Sequence, residues 1–145
     1  MEHSGKKKVL IVEDNFQNMV LVKEILTLHG YQTVEAASGT EAIKILTCED
    51  GSVDIILMDL HLPQMDGVTA TRIIKADPRI RNVPILALTA SAMKGEEVDL
   101  LSLGFDGYVA KPIEVKKLVE AVSGEIGPGQ EAGEGDRDGG DGEGG

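Results

Sequence analysis

Apolar residues along the chain fall into short runs separated by stretches of helical spacing. Val9 to Val12, Ile55 to Met58 and Ile85 to Leu88 are uninterrupted apolar runs, bounded by charged or turn residues. Runs of that length suit strands buried on both faces. Tyr31 to Ala36 alternates and reads as a weaker strand, and Tyr108-Val109-Ala110 as a short fifth one. Between the first two strands, Leu21, Val22, Ile25, Leu26 and Leu28 recur at helical spacing. Asn15 stands where an N-cap accepts a free backbone N–H, and Gly30 where a left-handed residue ends the helix. Further helices are predicted over 41–47, opened by Ser38-Gly39-Thr40, and over 68–76, stopped by Asp77-Pro78. Two more are predicted over 94–103, with Gly104 behind it, and over 115–122.

Strand and helix thus alternate five times. Such alternation with short connections implies the α/β class: a doubly wound (βα)5 unit, five parallel strands with helices on both faces. Right-handed crossovers leave few topologies. The strand order 2-1-3-4-5 follows if the polar ends of strands 1, 3, 4 and 5 are to meet, with strands 1 and 3 adjacent at the switch point.

Charge changes the picture at one end only. The net charge is -11, of which residues 125–145 carry -6, from seven acids and one base. Half of the 18 glycines lie from Gly127 onward, with no apolar residue larger than Ala132. A segment of that composition cannot offset its ordering entropy by burial. The expected organisation is a flexible N-terminus over 1–7, a folded domain over 8–124 and a disordered Gly/Asp/Glu-rich tail over 125–145. No basic face or aromatic platform suggests a nucleic-acid partner. No apolar run is long enough to cross a membrane, and the four apolar residues after Lys8 are too few for a signal peptide. One cysteine, Cys48, rules out an internal disulfide. A cytoplasmic monomer is the default expectation.

The chemistry gathers at the strand ends. Strand 1 runs into Glu13-Asp14, strand 3 into Asp59, strand 4 into Thr89 and strand 5 into Lys111. Carboxylates at 13, 14 and 59 repel one another unless a cation sits among them. Hard oxygen donors without Cys or His favour Mg2+. An Asp carboxylate can accept a phosphoryl group covalently. Lys111 offers positive charge to phosphoryl oxygens, and Thr89 a hydroxyl. Singly, each has a plainer reading: Asp59 and Glu13-Asp14 as caps, Lys111 as a solvated lysine, Thr89 as a β-branched strand residue. Their joint placement at four strand ends is what points to phosphoryl transfer.

Four motifs carry a family resemblance: Val-Glu-Asp-Asn (12–15), Met-Asp-Leu-His-Leu-Pro-Gln-Met-Asp-Gly (58–67), Ala-Leu-Thr-Ala (87–90) and Tyr-Val-Ala-Lys-Pro (108–112). In this order and spacing, residues 8–123 resemble the receiver domain of two-component response regulators, a flavodoxin-like fold. The stretch 89–97, with Asn15 and Asn18, looks closest to single-domain regulators of the DivK and CheY type and to receivers of hybrid kinases. The resemblance implies phosphorylation of Asp59 by a histidine kinase or histidine phosphotransfer protein. It implies Mg2+ held by Glu13, Asp14, Asp59 and the backbone carbonyl of His61. Thr89 and Tyr108 are the implied switch residues, and the Lys111–Pro112 bond the implied cis peptide. Glu13 stands where many receivers have Asp, and His61 and Ser91 are candidates for tuning phosphoryl lifetime.

A signalling switch, not an enzyme with turnover, is therefore expected. Its output would pass to a downstream protein through the face of the fourth helix, fifth strand and fifth helix. The alternative is a small Mg2+-dependent phosphatase-like enzyme with an Asp nucleophile. Such enzymes usually carry a second acid two residues on, where this chain has His61. A cofactor-binding flavodoxin-like domain would need a phosphate-cradling loop after strand 1, and Glu13-Asp14-Asn15 has the wrong charge.

Overall fold

The computed structural model describes residues 6–48, 52–62, 64–90 and 100–129. Strands β1 (Lys8–Val12), β2 (Gln32–Ala36), β3 (Ile55–Asp59), β4 (Ile85–Thr89) and β5 (Gly107–Ala110) form one parallel sheet in the order β2-β1-β3-β4-β5. Helices α1 (Phe16–Leu28), α2 (Gly39–Thr47) and α3 (Gly67–Ala76) connect the first strands, and α5 (Val115–Ile126) closes the chain. Between β4 and β5, α4 is described over residues 100–102. The rest of the helix predicted over 94–103, together with Ser91 and Met93, falls within 91–99, outside the described residues. The predicted fold class and strand order are those observed.

The sheet is sandwiched because its strands are apolar on both sides. Successive side chains of a strand point to opposite faces. Val9, Ile11, Ile55, Leu57, Leu86 and Leu88 accordingly pack with Met19, Val22 and Leu26 of α1 and Leu118 and Val122 of α5. Leu10, Val12, Ile56, Met58, Ile85 and Ala87 pack with Ala42 and Leu46 of α2, Ala70 and Ile74 of α3, and Leu100. A buried Leu or Ile stabilises by about 1.5–3 kcal/mol relative to exposure. The three central strands, buried throughout or nearly so, hold the sheet's carboxyl rim in a fixed register.

Caps set where the helices begin. The Asn15 side chain accepts Asn18 N–H at 2.9 Å, as its position predicts. Ser38 Oγ accepts Glu41 N–H at 3.1 Å, and Glu41 reaches back to Ala37 N–H at 2.8 Å. Asp66 caps α3 by accepting Thr69 N–H at 2.8 Å, which starts that helix at Gly67, one residue earlier than predicted.

The described structure continues past the predicted elements on either side. Helix α5 runs to Ile126, four residues beyond its predicted end, so 125 and 126 belong to the helix and not to a tail. Gly129 is buried, and its carbonyl accepts Lys7 N–H at 2.7 Å. Lys7 in turn accepts Gln32 N–H at 2.8 Å, so residue 7 extends the sheet. The pattern failed here because backbone contacts of small residues leave no hydrophobic signal. Residues 130–145 lie outside the described residues. Cys48 is an exposed free thiol at the C-cap of α2.

Candidate functional site

Four adjacent strands carry the chemistry to one rim. β1 and β3 are neighbours, with Val12 opposite Met58, so Glu13 and Asp59 follow side by side. Asp59 lies opposite Leu88, which places Thr89 one step further along β4. Thr89 is opposite Ala110, and its carbonyl accepts Lys111 N–H at 2.8 Å. The rim lies at the carboxyl ends of the neighbours β1 and β3, the switch point at which open α/β sheets bind ligands.

Local backbone contacts hold each side chain there. Glu13 N–H donates to Ala36 O at 3.0 Å, while Asn15 N–H donates to Glu13 Oε2 at 3.1 Å. Asp59 Oδ1 accepts His61 N–H at 3.1 Å. Gly67 packs so tightly under the strand end that a Cβ would run into the Asp59 carbonyl oxygen. The close approach of Gly67 is not legible in the sequence, although Asp-Gly before an apolar-periodic helix is the available signal.

Electrostatics at the rim are unbalanced toward negative charge. Glu13 and Asp59 are both buried, each 2% exposed, whereas Asp14 is exposed. Ligand oxygens of Glu13, Asp14 and Asp59 lie within 4.8 Å of one another. Lys111 Nζ stands 3.2 Å from Glu13 Oε1 and 3.2 Å from Asp59 Oδ1. That contact with Glu13 is ionic only: Oε1 is buried and has no hydrogen-bond partner. Burial first, and the charge of Asp59 second, push the Glu13 carboxyl above the ordinary carboxylate range. Asn15 N–H and Lys111 oppose the shift without cancelling it.

One ammonium between two buried carboxylates, with a third beside them, leaves room for a further cation. The donors are hard oxygens without thiol or imidazole nitrogen, and one buried oxygen lacks a donor. That set fits Mg2+.

The remaining predicted positions sort by distance from this centre. Thr89 is fully buried at its strand end. Tyr108 lies lower on β5, opposite Ala87, and is half-exposed. The side chain of His61 is exposed. The Lys111–Pro112 peptide is cis, as expected. His29 is the C-cap of α1, with ring Nδ1 2.9 Å from Ile25 O. Among the described residues no helix is long and apolar enough to cross a membrane.

Known proteins are similar to this chain in sequence and fold. The family profile described as the response regulator receiver domain matches residues 9–123. The polar-differentiation response regulator DivK of Brucella ovis is 38% identical over 121 residues, covering 83% of this chain and 97% of DivK. The receiver domain of sensor histidine kinase PA1611 from Pseudomonas aeruginosa superposes with a TM-score of 0.74 at 36% identity, over 83% of this chain and 98% of that one. That crystal structure has a magnesium ion coordinated in the active site cleft. Chemotaxis protein CheY4 of Vibrio cholerae superposes with a TM-score of 0.73 at 25% identity, over 83% and 98% of the two chains.

Proposed function

Because this chain belongs to the response regulator receiver domain family, we propose that it accepts a phosphoryl group on Asp59 and signals by the change that follows. The family is a signalling switch of two-component systems. The finer reading rests on one observation: Glu13, Asp14 and Asp59 converge within 4.8 Å of one another while Lys111 Nζ lies 3.2 Å from both buried carboxylates.

Glu13, Asp14, Asp59 and the His61 backbone carbonyl would hold Mg2+. When bound, it supplies positive charge against the oxygens of the incoming phosphoryl group. The donor is a phosphohistidine of a histidine kinase or histidine phosphotransfer protein. An Asp59 carboxylate oxygen attacks phosphorus, the P–O bond forms, and the P–N bond to imidazole breaks. The imidazole leaves with the electron pair and takes a proton. Lys111 then ion-pairs with a phosphoryl oxygen, and Thr89 donates its hydroxyl to another. Its movement repacks the face of α4, β5 and α5 around Tyr108, where a downstream protein binds. Hydrolysis of the acyl phosphate resets the switch.

Phosphoramidate or acetyl phosphate replaces the protein donor in the test. Intact mass after incubation with Mg2+ is expected to show one phosphate adduct, absent without Mg2+ and absent in Asp59→Asn. An adduct of equal yield in Asp59→Asn would remove Asp59 from its role.

A further inference from the structure

Gly127 and Gly129 lie beyond the family match at 9–123, yet both contact the fold, with the exposed Pro128 between them. Gly127 caps α5 with a positive φ of 86°, and its N–H donates to Ser123 O at 2.8 Å. The Gly127 carbonyl accepts the hydroxyl of Tyr31 at 2.8 Å, and the Tyr31 side chain is itself buried in the core under α1 and α5. Two residues on, the Gly129 carbonyl takes Lys7 N–H.

That last bond has a particular place in the sheet. Lys8 pairs with Gln32, and Gln32 N–H donates to Lys7 O. In a continuing parallel ladder, Lys7 N–H would seek the carbonyl two residues before Gln32, that of Gly30. Gly129 supplies the acceptor instead, and it does so from directly against that turn. A Cβ on Gly129 would lie 2.6 Å from Gly30 C, 2.7 Å from His29 O and 2.7 Å from Tyr31 N. All three are backbone atoms that cannot swing aside, so only glycine fits.

We infer that residues 127–129 are a clasp that closes the amino-terminal rim of the sheet. It ties the end of α5 to the α1–β2 turn through Tyr31, and to the lead-in of β1 through Lys7. Residue 7 and residues 127–129 thereby become part of the folded unit. The clasp also fixes where the acidic segment after Gly129 begins. Its root lies at the rim opposite the carboxylate site, about 17 Å away along the five residues of β1.

Native-state amide exchange of the full chain tests this, with Gly129→Val and Tyr31→Phe as variants and Gly124→Ala as control. Gly124 has nothing within 4 Å of its would-be Cβ. Valine at 129 is expected to speed exchange of the Lys7 and Gln32 amides tenfold or more, with the β3 amides little changed. Tyr31→Phe keeps the ring in place and removes only the bond to Gly127, so it should speed the same amides to a smaller degree. The control should not speed them. Lys7 and Gln32 amides that exchange as in the parent in both variants, or a rise spread evenly over all strands, would overturn the clasp.

Discussion

Lys111 Nζ lies at the same distance, 3.2 Å, from a carboxylate oxygen of Glu13 and one of Asp59, and so bridges the ends of β1 and β3 from the end of β5. The ammonium is mostly buried and both acids almost wholly so. Removing it leaves two carboxylates facing each other in a poorly solvated pocket.

Lys111→Ala is therefore expected to lower stability without Mg2+ by about 1–3 kcal/mol, the cost of leaving buried charged groups without their partner. Urea unfolding in the presence of a chelator measures it. The same change is expected to slow adduct formation on Asp59 by roughly 100-fold, the usual loss when a charge-stabilising donor leaves a phosphoryl or oxyanion site. Lys111→Arg should recover part of the stability and less of the rate, since a planar fork cannot reach two separate acids as a point charge does.

Glu13 makes stability depend on pH in a direction opposite to that of most acids. Its carboxyl is raised above the ordinary 4.5, by burial first and by the charge of Asp59 second. The folded protein then binds more protons than the unfolded chain between 4.5 and the raised value. Stability must fall as pH rises through that window. Without Mg2+, the contribution of residue 13 is greatest at low pH and is lost as pH rises through the raised value. Glu13→Gln is expected to abolish that contribution, and urea midpoints taken as pH is raised from 4.5 read it. A parent protein whose midpoint rose over the same range, with no change in Glu13→Gln, would contradict the assignment.

Most of the fold and the centre of the site were legible because both are written in side chains. Ile55 to Met58 is apolar on every residue, which only a strand covered on both faces tolerates, and Asp59 ends it abruptly. Glu13 and Lys111 end strands in the same way. What could not be read was written in backbone. Gly67 is needed because the chain folds back under the Asp59 carbonyl. Gly129 is needed because it lies on the Gly30 peptide. Neither contact involves a side chain, and the second sits in a stretch whose composition resembles a tail. Nor could the sequence say that Asp14 is exposed while Glu13 is buried, since adjacent acids leaving a strand look alike.

The two kinds of glycine should behave differently. Gly67→Ala drives a methyl into the Asp59 carbonyl oxygen and to within 2.9 Å of Leu60 Cα. Overpacking of this kind typically costs about 1–3 kcal/mol. The displaced strand end should also slow adduct formation on Asp59. Gly124→Ala, in the open flank of α5, should instead stabilise by about 0.5–1 kcal/mol through helix propensity. Urea unfolding of both variants checks the sign of each.

Asp59→Asn separates the two roles assigned to that carboxylate. Without Mg2+ the substitution removes a like charge facing Glu13, and the Glu13–Lys111 pair remains. Relief of that repulsion is expected to raise stability, offset in part by loss of the Asp59–Lys111 pair at 3.2 Å. With Mg2+ the order should reverse. A cation that binds only the folded parent adds about 2.7 kcal/mol at a hundredfold excess over its dissociation constant. The variant has lost one of three clustered carboxylates and should gain much less. Thermal midpoints of both proteins across a Mg2+ titration should therefore cross, with the variant more stable at zero Mg2+ and the parent more stable at saturation. Parallel curves would mean that Asp59 does not contribute to holding the ion.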